Sequence, residues 1–512
     1  MEFKNRFLSL IKSKNNDKPT YWLTRFIFLR ALGFVYFFAF LSLAIQVIPL
    51  IGENGLLPAS NFLEGIHSFF GSASNALIKL PTIFWLNSSD TFLSVFAWAG
   101  VILSVIVMIG YANSIMMFVL WLIYMSYVNI GQVFYGYGWE IQLLETGFLA
   151  IFFCPLIDWR PFPKKAPPVA IVWLLRWLAF RIYLGAGLIK IRGDECWRNL
   201  TCMKYHYETQ PIPNPLSRIA HFFPSWVHKF EVLWNHFIEL FVPFFIFVPR
   251  IARYAAGVLL ISFQFLLILS GNLSFLNYLT ILPAIACFDD KFLRKILPKK
   301  IVEKASHAHK NQIESKFSAV AAWSYFVIVL ILSVPIIQNL LSSNQVMNTS
   351  FTTIPLVNTY GAFGSVGRER YELVIEGTSD EKITKDTQWK AYEFKAKPTD
   401  VNRPLPIIAP YQPRIDWQIW FAAMEPPQQN PWLLHMIWKL LDNDKATLSL
   451  LAKNPFLNEK PKYIRVQYYK YKFAKPFAKP YWEREYIGEW LSPLSKETKG
   501  FKEYIEANGW KD

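Results

Sequence analysis

Residues 31–51 read ALGFVYFFAFLSLAIQVIPLI, a run with no charged side chain. A helix of about 20 apolar residues is long enough to cross the hydrocarbon core of a bilayer. Eight further runs of this kind are predicted, at residues 92–110, 114–130, 141–157, 169–189, 232–248, 254–269, 273–288 and 319–341. The chain is 53% hydrophobic and 18% charged, whereas soluble proteins carry about 25% charged residues. The sequence therefore predicts an all-α, polytopic membrane bundle of about nine spans over residues 31–341.

The basic residues of the loops predict how the spans are oriented, because cytosolic loops carry more Lys and Arg. Residues 1–30 form a basic segment that we expect in the cytosol, and residues 289–318 form a basic loop on the same side. The loop 52–91 has a single basic residue and is expected outside. The outside loop 190–231 departs from the rule with six basic residues. Alternation places residues 342–512 in the lumen of the endoplasmic reticulum or, in a bacterium, in the periplasm.

The last third of the sequence changes from long apolar runs to alternation. Residues 371–376 (YELVIE), 389–395 (WKAYEFK) and 463–473 (YIRVQYYKYKF) alternate apolar and polar side chains, a pattern typical of half-buried antiparallel strands. Pro431 begins a stretch with helical spacing of its apolar residues, and proline is tolerated in the first turn of a helix. Residues 342–512 are therefore predicted to form a soluble, β-rich α+β domain.

Two markers of a secretory compartment lie on the predicted outside. Cys196 and Cys202 are six residues apart, and we expect either a local disulfide or two free thiols there. With His206 they supply only three zinc ligands where a structural site needs four, so no metal is predicted. Four sequons also fall on this side, at Asn87, Asn199, Asn272 and Asn348. Most of the formal charge of +16 lies before residue 342, as orienting charge would, and no nucleic-acid partner is predicted.

Charged side chains within or next to the spans are costly and point to a specific role. They are Glu140, Glu145, Arg176, Arg181, Lys190, His236 and Glu239. One interpretation is structural, with Arg176 and Arg181 neutralising Glu145 and Glu239 inside the bundle. The other is a buried cavity for protons or a ligand, in which such groups would have shifted pKa values. The spacing does not choose between them.

Long blocks of this sequence resemble the lipase maturation factor family. They are YWLTRFIFLRALGFVYFFAF (21–40), LIGENGLLPA (50–59), YGWEIQLLETGFLAIFFCP (137–155), AGLIKIRGDECWRNLTCMKYHYETQPIPNPLS (186–217), SGNLSFLNYLTILPAIACFDD (270–290), NTYGAFGSVGRERYELVIEGT (358–378) and PYQPRIDWQIWFAAM (410–424). The blocks extend over nearly the whole chain.

The resemblance implies a multi-pass protein of the endoplasmic reticulum membrane that assists secreted clients. Its clients would be dimeric lipases of the lipoprotein lipase type, and its partners also membrane lipids. It would act as a chaperone rather than an enzyme, without a cofactor. A folding helper holds exposed apolar surface of its client, so we expect the aromatic side chains Trp417, Trp420 and Phe421 to bind it.

A more distant likeness supports an alternative to the chaperone hypothesis. The segment AGLIKIRGDECW is similar to the AG-x-K-K segment of the vitamin K-dependent γ-glutamyl carboxylases. It implies an enzyme with a lipid-soluble, quinone-type cofactor, in which Lys190 would be the base and His236 and Glu239 further catalytic candidates. A lysine at a membrane boundary is also a common interfacial anchor.

Overall fold

The structure is a computed structural model that describes residues 19–510. Most of the basic residues expected in the N-terminal segment 1–30 lie outside the described residues. Up to residue 341 the regular structure is helical, and the first strand begins at Arg370. The helices are α1 (Trp22–Ile51), α2 (Ala59–Phe70), α3 (Ala73–Lys79), α4 (Asp90–Ile109), α5 (Ser114–Ile130), α6 (Gly138–Phe153), α7 (Val169–Arg192), α8 (Glu195–Arg198), α9 (Met203–Thr209), α10 (Pro215–His221), α11 (Ser225–His236), α12 (Arg250–Ser270), α13 (Leu276–Ala284), α14 (Asp290–Leu293), α15 (Lys299–Lys310), α16 (Lys316–Leu341), α17 (Arg414–Ala422), α18 (Pro431–Leu441), α19 (Lys445–Leu448) and α20 (Lys499–Ala507).

Six helical stretches within residues 19–510 are long and apolar enough to cross a membrane. They are α1, α4, α7, α12, α16 and the continuous stretch Ser225–Phe247. In that stretch α11 continues through the π-helix Phe237–Phe241 and the 3-10 helix Val242–Phe247. The other three predicted runs form the shorter helices α5, α6 and α13. The helical membrane domain is therefore confirmed, with six long helices and three short ones in place of nine similar spans.

The first helix begins at Trp22, earlier than the apolar run at residue 31 suggested. The backbone N–H groups of Trp22 and Leu23 donate to the Asp290 carboxylate, at 3.1 and 2.8 Å. A carboxylate stabilises the start of a helix because it accepts from unpaired N–H groups at the positive end of the helix dipole. Farther along, Gly33 allows α1 to approach α4, since a Cβ there would lie 2.5 Å from the Met108 nitrogen.

The C-terminal domain, hereafter the tail domain, contains a four-stranded antiparallel sheet in the order β2, β1, β5, β6. The strands are β1 (Arg370–Thr378), β2 (Lys390–Ala391), β3 (Glu393–Phe394), β4 (Leu451–Lys453), β5 (Tyr463–Phe473) and β6 (Trp482–Leu494), with β3 and β4 in a separate pair. The predicted strands at 371–376 and 463–473 and the helix from Pro431 are present. The expected single strand at 389–395 is divided into β2 and β3. The β-rich α+β class is confirmed.

Strand β6 was not predicted, although it is the longest strand in the described part of the chain. Most of its side chains are exposed or half-exposed on both faces, because it lies at the edge of the sheet. It also contains Gly488 and Pro493, which are both unfavourable inside strands. An edge strand solvated on both faces has no hydrophobic alternation to detect.

The tail domain docks on the membrane domain through loops that the sequence places outside. The docking hydrogen bonds include His435 Nδ1 to Leu56 O (2.7 Å), Arg370 Nη2 to Pro211 O (2.9 Å), Arg218 Nη2 to Ala478 O (2.7 Å) and Asn272 Nδ2 to Pro406 O (2.9 Å). Three separate loops of the membrane domain, at residues 52–91, 190–231 and 270–272, therefore hold one domain.

Candidate functional site

A cavity of about 1010 Å³ lies between the membrane domain and the tail domain. Its walls come from α6, α7, α12 and α13 of the membrane domain, from the segment 197–239, and from residues 347–371 and 417–424 that follow the last span. Most of the lining surface is apolar, and polar side chains interrupt it. Pockets that enclose small molecules have this composition and volumes of about 300–1,000 Å³.

The polar lining of the cavity includes a three-residue cluster of Lys190, Glu239 and Asn235. The Lys190 ammonium donates to both Glu239 oxygens, at 2.6 and 2.7 Å, and to Asn235 Oδ1 at 3.1 Å. Asn235 Nδ2 in turn donates to Glu239 at 2.9 Å. Both charged side chains are buried. Glu239 lies in the π-helix, an irregularity that is frequent at functional sites.

This cluster brings together two of the three residues that the carboxylase likeness singled out. Lys190 and Glu239 form an ion pair, so the three protons of the ammonium are already used in hydrogen bonds. His236 is not among the residues that line the cavity, and its Nε2 is 3.0 Å from Trp197 O. The Lys190 side chain is therefore paired with Glu239 and Asn235 rather than unpaired in the cavity.

The expected neutralisation of Glu239 by an arginine of α7 is wrong. Arg176 donates instead to Ala286 O at 2.9 Å and to the Tyr21 hydroxyl at 3.0 Å. It lies fourteen residues before Lys190, which is about 21 Å along a helix. Arg176 is therefore too far along α7 to reach Glu239, and Lys190, near the other end of the helix, is its basic partner.

Glu145 and Arg181 do form the ion pair that was expected, and they also hold the chain that leaves the last span. The backbone N–H of Asn358 and the Tyr360 hydroxyl donate to Glu145 Oε2, at 3.0 and 2.7 Å. Arg181 Nη1 donates to Asn358 O at 2.8 Å. The pair thus binds the segment that begins the tail domain.

Glu140 pairs with a residue of the tail domain rather than with another span. Arg414 Nη1 donates to Glu140 Oε1 at 2.8 Å and to Phe134 O at 2.7 Å. The guanidinium carbon lies 3.7 Å from the centroid of the Tyr135 ring, and the Tyr124 hydroxyl donates to the second carboxylate oxygen. Both charged side chains are fully buried. This ion pair joins the two domains next to the cavity.

His206 contributes an imidazole to the cavity wall. The residue is 9% exposed and makes no hydrogen bond through its ring to another residue between 19 and 510. Burial, with the nearby Lys190 ammonium as a second cause, lowers the pKa of His206 to about 4. The imidazole is therefore neutral at physiological pH, with one nitrogen as donor and the other as acceptor.

The three aromatic residues expected to bind a client all line this cavity, but they differ in exposure. Trp417 is only 4% exposed and packs edge-on against Trp139, with ring centroids 5.0 Å apart. It is not on an open surface, because Tyr137 and Trp139 of the membrane domain pack against it. Trp420 is half-buried, Phe421 is exposed, and their rings are in contact at 4.9 Å. Met424, which the sequence did not single out, also lines the cavity and is 58% exposed. Trp420, Phe421 and Met424 are together called the rim below.

Cys196 and Cys202 form a disulfide in the structure, with Cα atoms 4.7 Å apart. Asp194, two residues before this disulfide, forms an ion pair with Arg368 of the tail domain, 2.7 Å long. The pKa of Asp194 is lowered to about 2, since partial burial would raise it but hydrogen bonds from Arg368 and two backbone N–H groups outweigh that effect. The other two cysteines, Cys154 and Cys287, are buried thiols.

The apolar mouth of the cavity was missed by sequence reasoning. Phe230 is 60% exposed and Leu266 is 53% exposed, and Leu216, Phe223 and Leu269 are exposed beside them. The spacing of Trp226, Phe230, Leu233 and Phe237 along one helix face is a signal that could have indicated this surface.

These features define a class of protein: a multi-pass membrane protein whose β-rich domain covers one end of the helical bundle and encloses an apolar cavity there. The family model of the lipase maturation factor transmembrane domain matches residues 23–295, and that of the lipase maturation factor C-terminal domain matches residues 356–492. The chain belongs to the lipase maturation factor family.

Relatives are similar over almost the whole length. Lipase maturation factor 1 of Homo sapiens is 46% identical over 96% of this chain and 91% of its own length. Lipase maturation factor 1 of Mus musculus is 47% identical, over 96% and 90% of the two chains. Lipase maturation factor 2 of Homo sapiens is 28% identical, over 92% and 83%. No solved structure matches the chain. These similarities do not support the carboxylase alternative.

Proposed function

We propose that the protein is a maturation factor in the membrane of the endoplasmic reticulum that helps secreted lipases reach their active fold. The proposal rests chiefly on the 46% identity to human lipase maturation factor 1 across 96% of the chain. The proposed role is not enzymatic, which is consistent with a Lys190 side chain that is already paired with Glu239. The clients proposed are dimeric lipases of the lipoprotein lipase type.

The side of the membrane on which the tail domain works is part of the proposal. Its docking partners Leu56, Pro211, Arg218 and Asn272 all lie in loops that the charge rule assigns to the outside. Segments assigned to the cytosol contact one another instead, as in the hydrogen bond from Ile313 N to Lys164 O. The two sets of contacts support a cytosolic N-terminus and a lumenal tail domain. A disulfide at 196–202 suits an oxidising lumen.

The client surface that we propose is the rim formed by Trp420, Phe421 and Met424. Folding intermediates expose apolar surface, which aggregates unless it is covered. An exposed apolar rim on the lumenal side offers such surface a partner. Trp417 supports the rim from beneath and does not itself contact the client, because it is buried.

The test is secretion of active lipase from cells that lack their own maturation factor. The full chain is expressed with a lipoprotein lipase-type client, and active enzyme in the medium is compared for the wild type and for Phe421→Ser. Loss of an aromatic anchor from an interface costs about 2 kcal/mol or more, so secreted activity should fall several-fold. Phe477→Ser removes a phenylalanine elsewhere on the tail domain that is more exposed, at 86% against 37% for Phe421, and should have no effect. Equal loss in both variants, or none in either, would refute the proposed surface.

A further inference from the structure

We infer that the cavity between the membrane domain and the tail domain binds a glycerolipid that enters sideways from the lumenal leaflet of the bilayer. This inference concerns a ligand of the protein itself and does not depend on the proposed lipase client. Three independent features of the cavity carry it: the position of its mouth, the composition of its wall, and a polar group in the wall that lacks a partner.

The mouth of the cavity opens beside a membrane-spanning helix. Leu266 and Leu269 lie near the end of α12 that the charge rule places at the lumenal boundary, and both are exposed. Phe230 of α11 lines the same cavity and is exposed as well. Exposed leucines on a spanning helix contact acyl chains, so a molecule that reaches this mouth comes from the lipid phase rather than from water.

The wall is mostly apolar, and its charged side chains have partners. Lys190 and Glu239 are buried as an ion pair, Arg370 pairs with Glu372 and Glu369 pairs with Lys470. Glu231 accepts a hydrogen bond from Tyr207. Gln264 accepts from Asn277 at 2.8 Å, and Gln142 donates to Thr280 at 3.1 Å. An amphiphile with apolar chains and an uncharged, oxygen-rich linkage matches this distribution.

One polar group in the wall has no hydrogen-bond partner within the described chain. It is the neutral imidazole of His206, which lines the cavity. A neutral imidazole has one N–H donor, and the ester oxygens of a glycerolipid are acceptors of the kind that this donor lacks.

The volume is adequate for such a ligand. About 1010 Å³ lies at the upper end of the range in which proteins enclose small organic molecules. A water-filled cavity of this size would leave a large, mostly apolar wall exposed to water, which is unfavourable. Acyl chains would instead cover that wall with apolar contacts.

The test uses the full chain in phosphatidylcholine vesicles that contain phosphatidylcholine with a diazirine in one acyl chain. After irradiation and digestion, labelled peptides are identified by mass spectrometry, with no lipase present. We expect label in the buried wall segments 203–211 and 273–280 of the wild-type protein, which bulk lipid does not reach. Ala186 lines the cavity, so Ala186→Phe places a ring in its volume and should abolish that label while label on α16, the most exposed spanning helix of the described chain, is unchanged. Ala255→Phe is the matched control on the exposed face of α12 and should leave the cavity label intact.

If Ala186→Phe does not insert and elute as the wild type does, Ala220→Phe replaces it, because Ala220 lines the same cavity from α10. Cavity label that is absent in the wild type, or that persists unchanged in the filled variants, would overturn the inference. Absent label would favour a cavity that accepts a protein segment instead. The readout does not involve secretion, so it can fail while the lipase test succeeds, and the reverse.

Discussion

Arg414 of the tail domain and Glu140 of the membrane domain form a fully buried ion pair, with 2.8 Å between Nη1 and Oε1, although they are 274 residues apart in the chain. The pair lies next to the cavity and is completed by the Phe134 carbonyl and the Tyr135 ring. It makes the tail domain a lid fixed to the bundle rather than a freely tethered module.

Breaking this pair should detach the tail domain. Arg414→Met leaves the Glu140 carboxylate buried without its cation, and removal of one partner of a buried pair costs about 3–5 kcal/mol. We expect a clear decrease in the thermal unfolding temperature of the purified full chain in detergent. The exposed pair of Lys390 and Glu459 provides the control, since Lys390→Met should cost about 1 kcal/mol or less.

The double variant Glu140→Gln with Arg414→Met should be less destabilised than Arg414→Met alone. It removes both charges, so no uncompensated ion remains buried. A double variant as unstable as the sum of the two single variants would contradict a direct interaction between the two residues.

The thiol content should reveal the disulfide between Cys196 and Cys202. The chain has four cysteines, and in the structure only Cys154 and Cys287 are thiols. Alkylation of protein denatured without reductant should therefore modify two cysteines, and four after reduction, as counted by mass spectrometry. Four modified cysteines without reductant would show that the loop is not closed.

Stability should fall on mild acidification because of two buried histidines. Burial, as the first cause in both, lowers the pKa of His206 and of His435 to about 4, whereas an unfolded histidine has a pKa of about 6.5. Between these values the unfolded chain binds more protons, so the free energy of unfolding decreases as pH falls below 6.5, by up to about 1.4 kcal/mol per pH unit for each residue. Unfolding temperatures measured from pH 7.5 to 5.5 should decline, and His206→Phe should flatten the decline. A profile that His206→Phe leaves unchanged would argue against this account.

Glycosylation should distinguish the exposed sequons from the buried one. Asn87 and Asn199 are exposed, while Asn272 is buried and its amide donates to Pro406 O at 2.9 Å. Expressed in cells with an endoplasmic reticulum, the wild-type chain should shift in mass on treatment with endoglycosidase H. Asn272→Gln should not alter the shift. A glycan mapped to Asn272 would mean that the tail domain is not docked as described.

The sequence was sufficient for the parts of the fold that have a local signal. Apolar runs and period-two alternation predicted the helical domain and the strands β1 and β5, because burial of one face or of a whole helix leaves its pattern in consecutive residues. The pairing of Glu145 with Arg181 was also within reach, as both lie in adjacent spans.

Other relationships have no local signal. Glu140 had no visible partner, because Arg414 comes from a different domain and nothing in either segment indicates the contact. Glu239 was expected to pair with one of the arginines of α7 rather than with Lys190, since the register of two helices depends on packing and not on composition. The local sequence around Trp417 does not indicate whether this side chain is exposed or buried. Trp417 is buried because the tail domain docks on the membrane domain.

The account depends most on the side of the membrane that the tail domain occupies, and a tag placed after Asp512 tests this directly. Microsomes are prepared sealed, with the cytosolic face outward, and treated with protease before and after addition of detergent. We predict that the tag is protected in sealed microsomes and digested only once detergent is added. Digestion of the tag in sealed microsomes would put the tail domain in the cytosol, away from any secreted client, and would contradict the account.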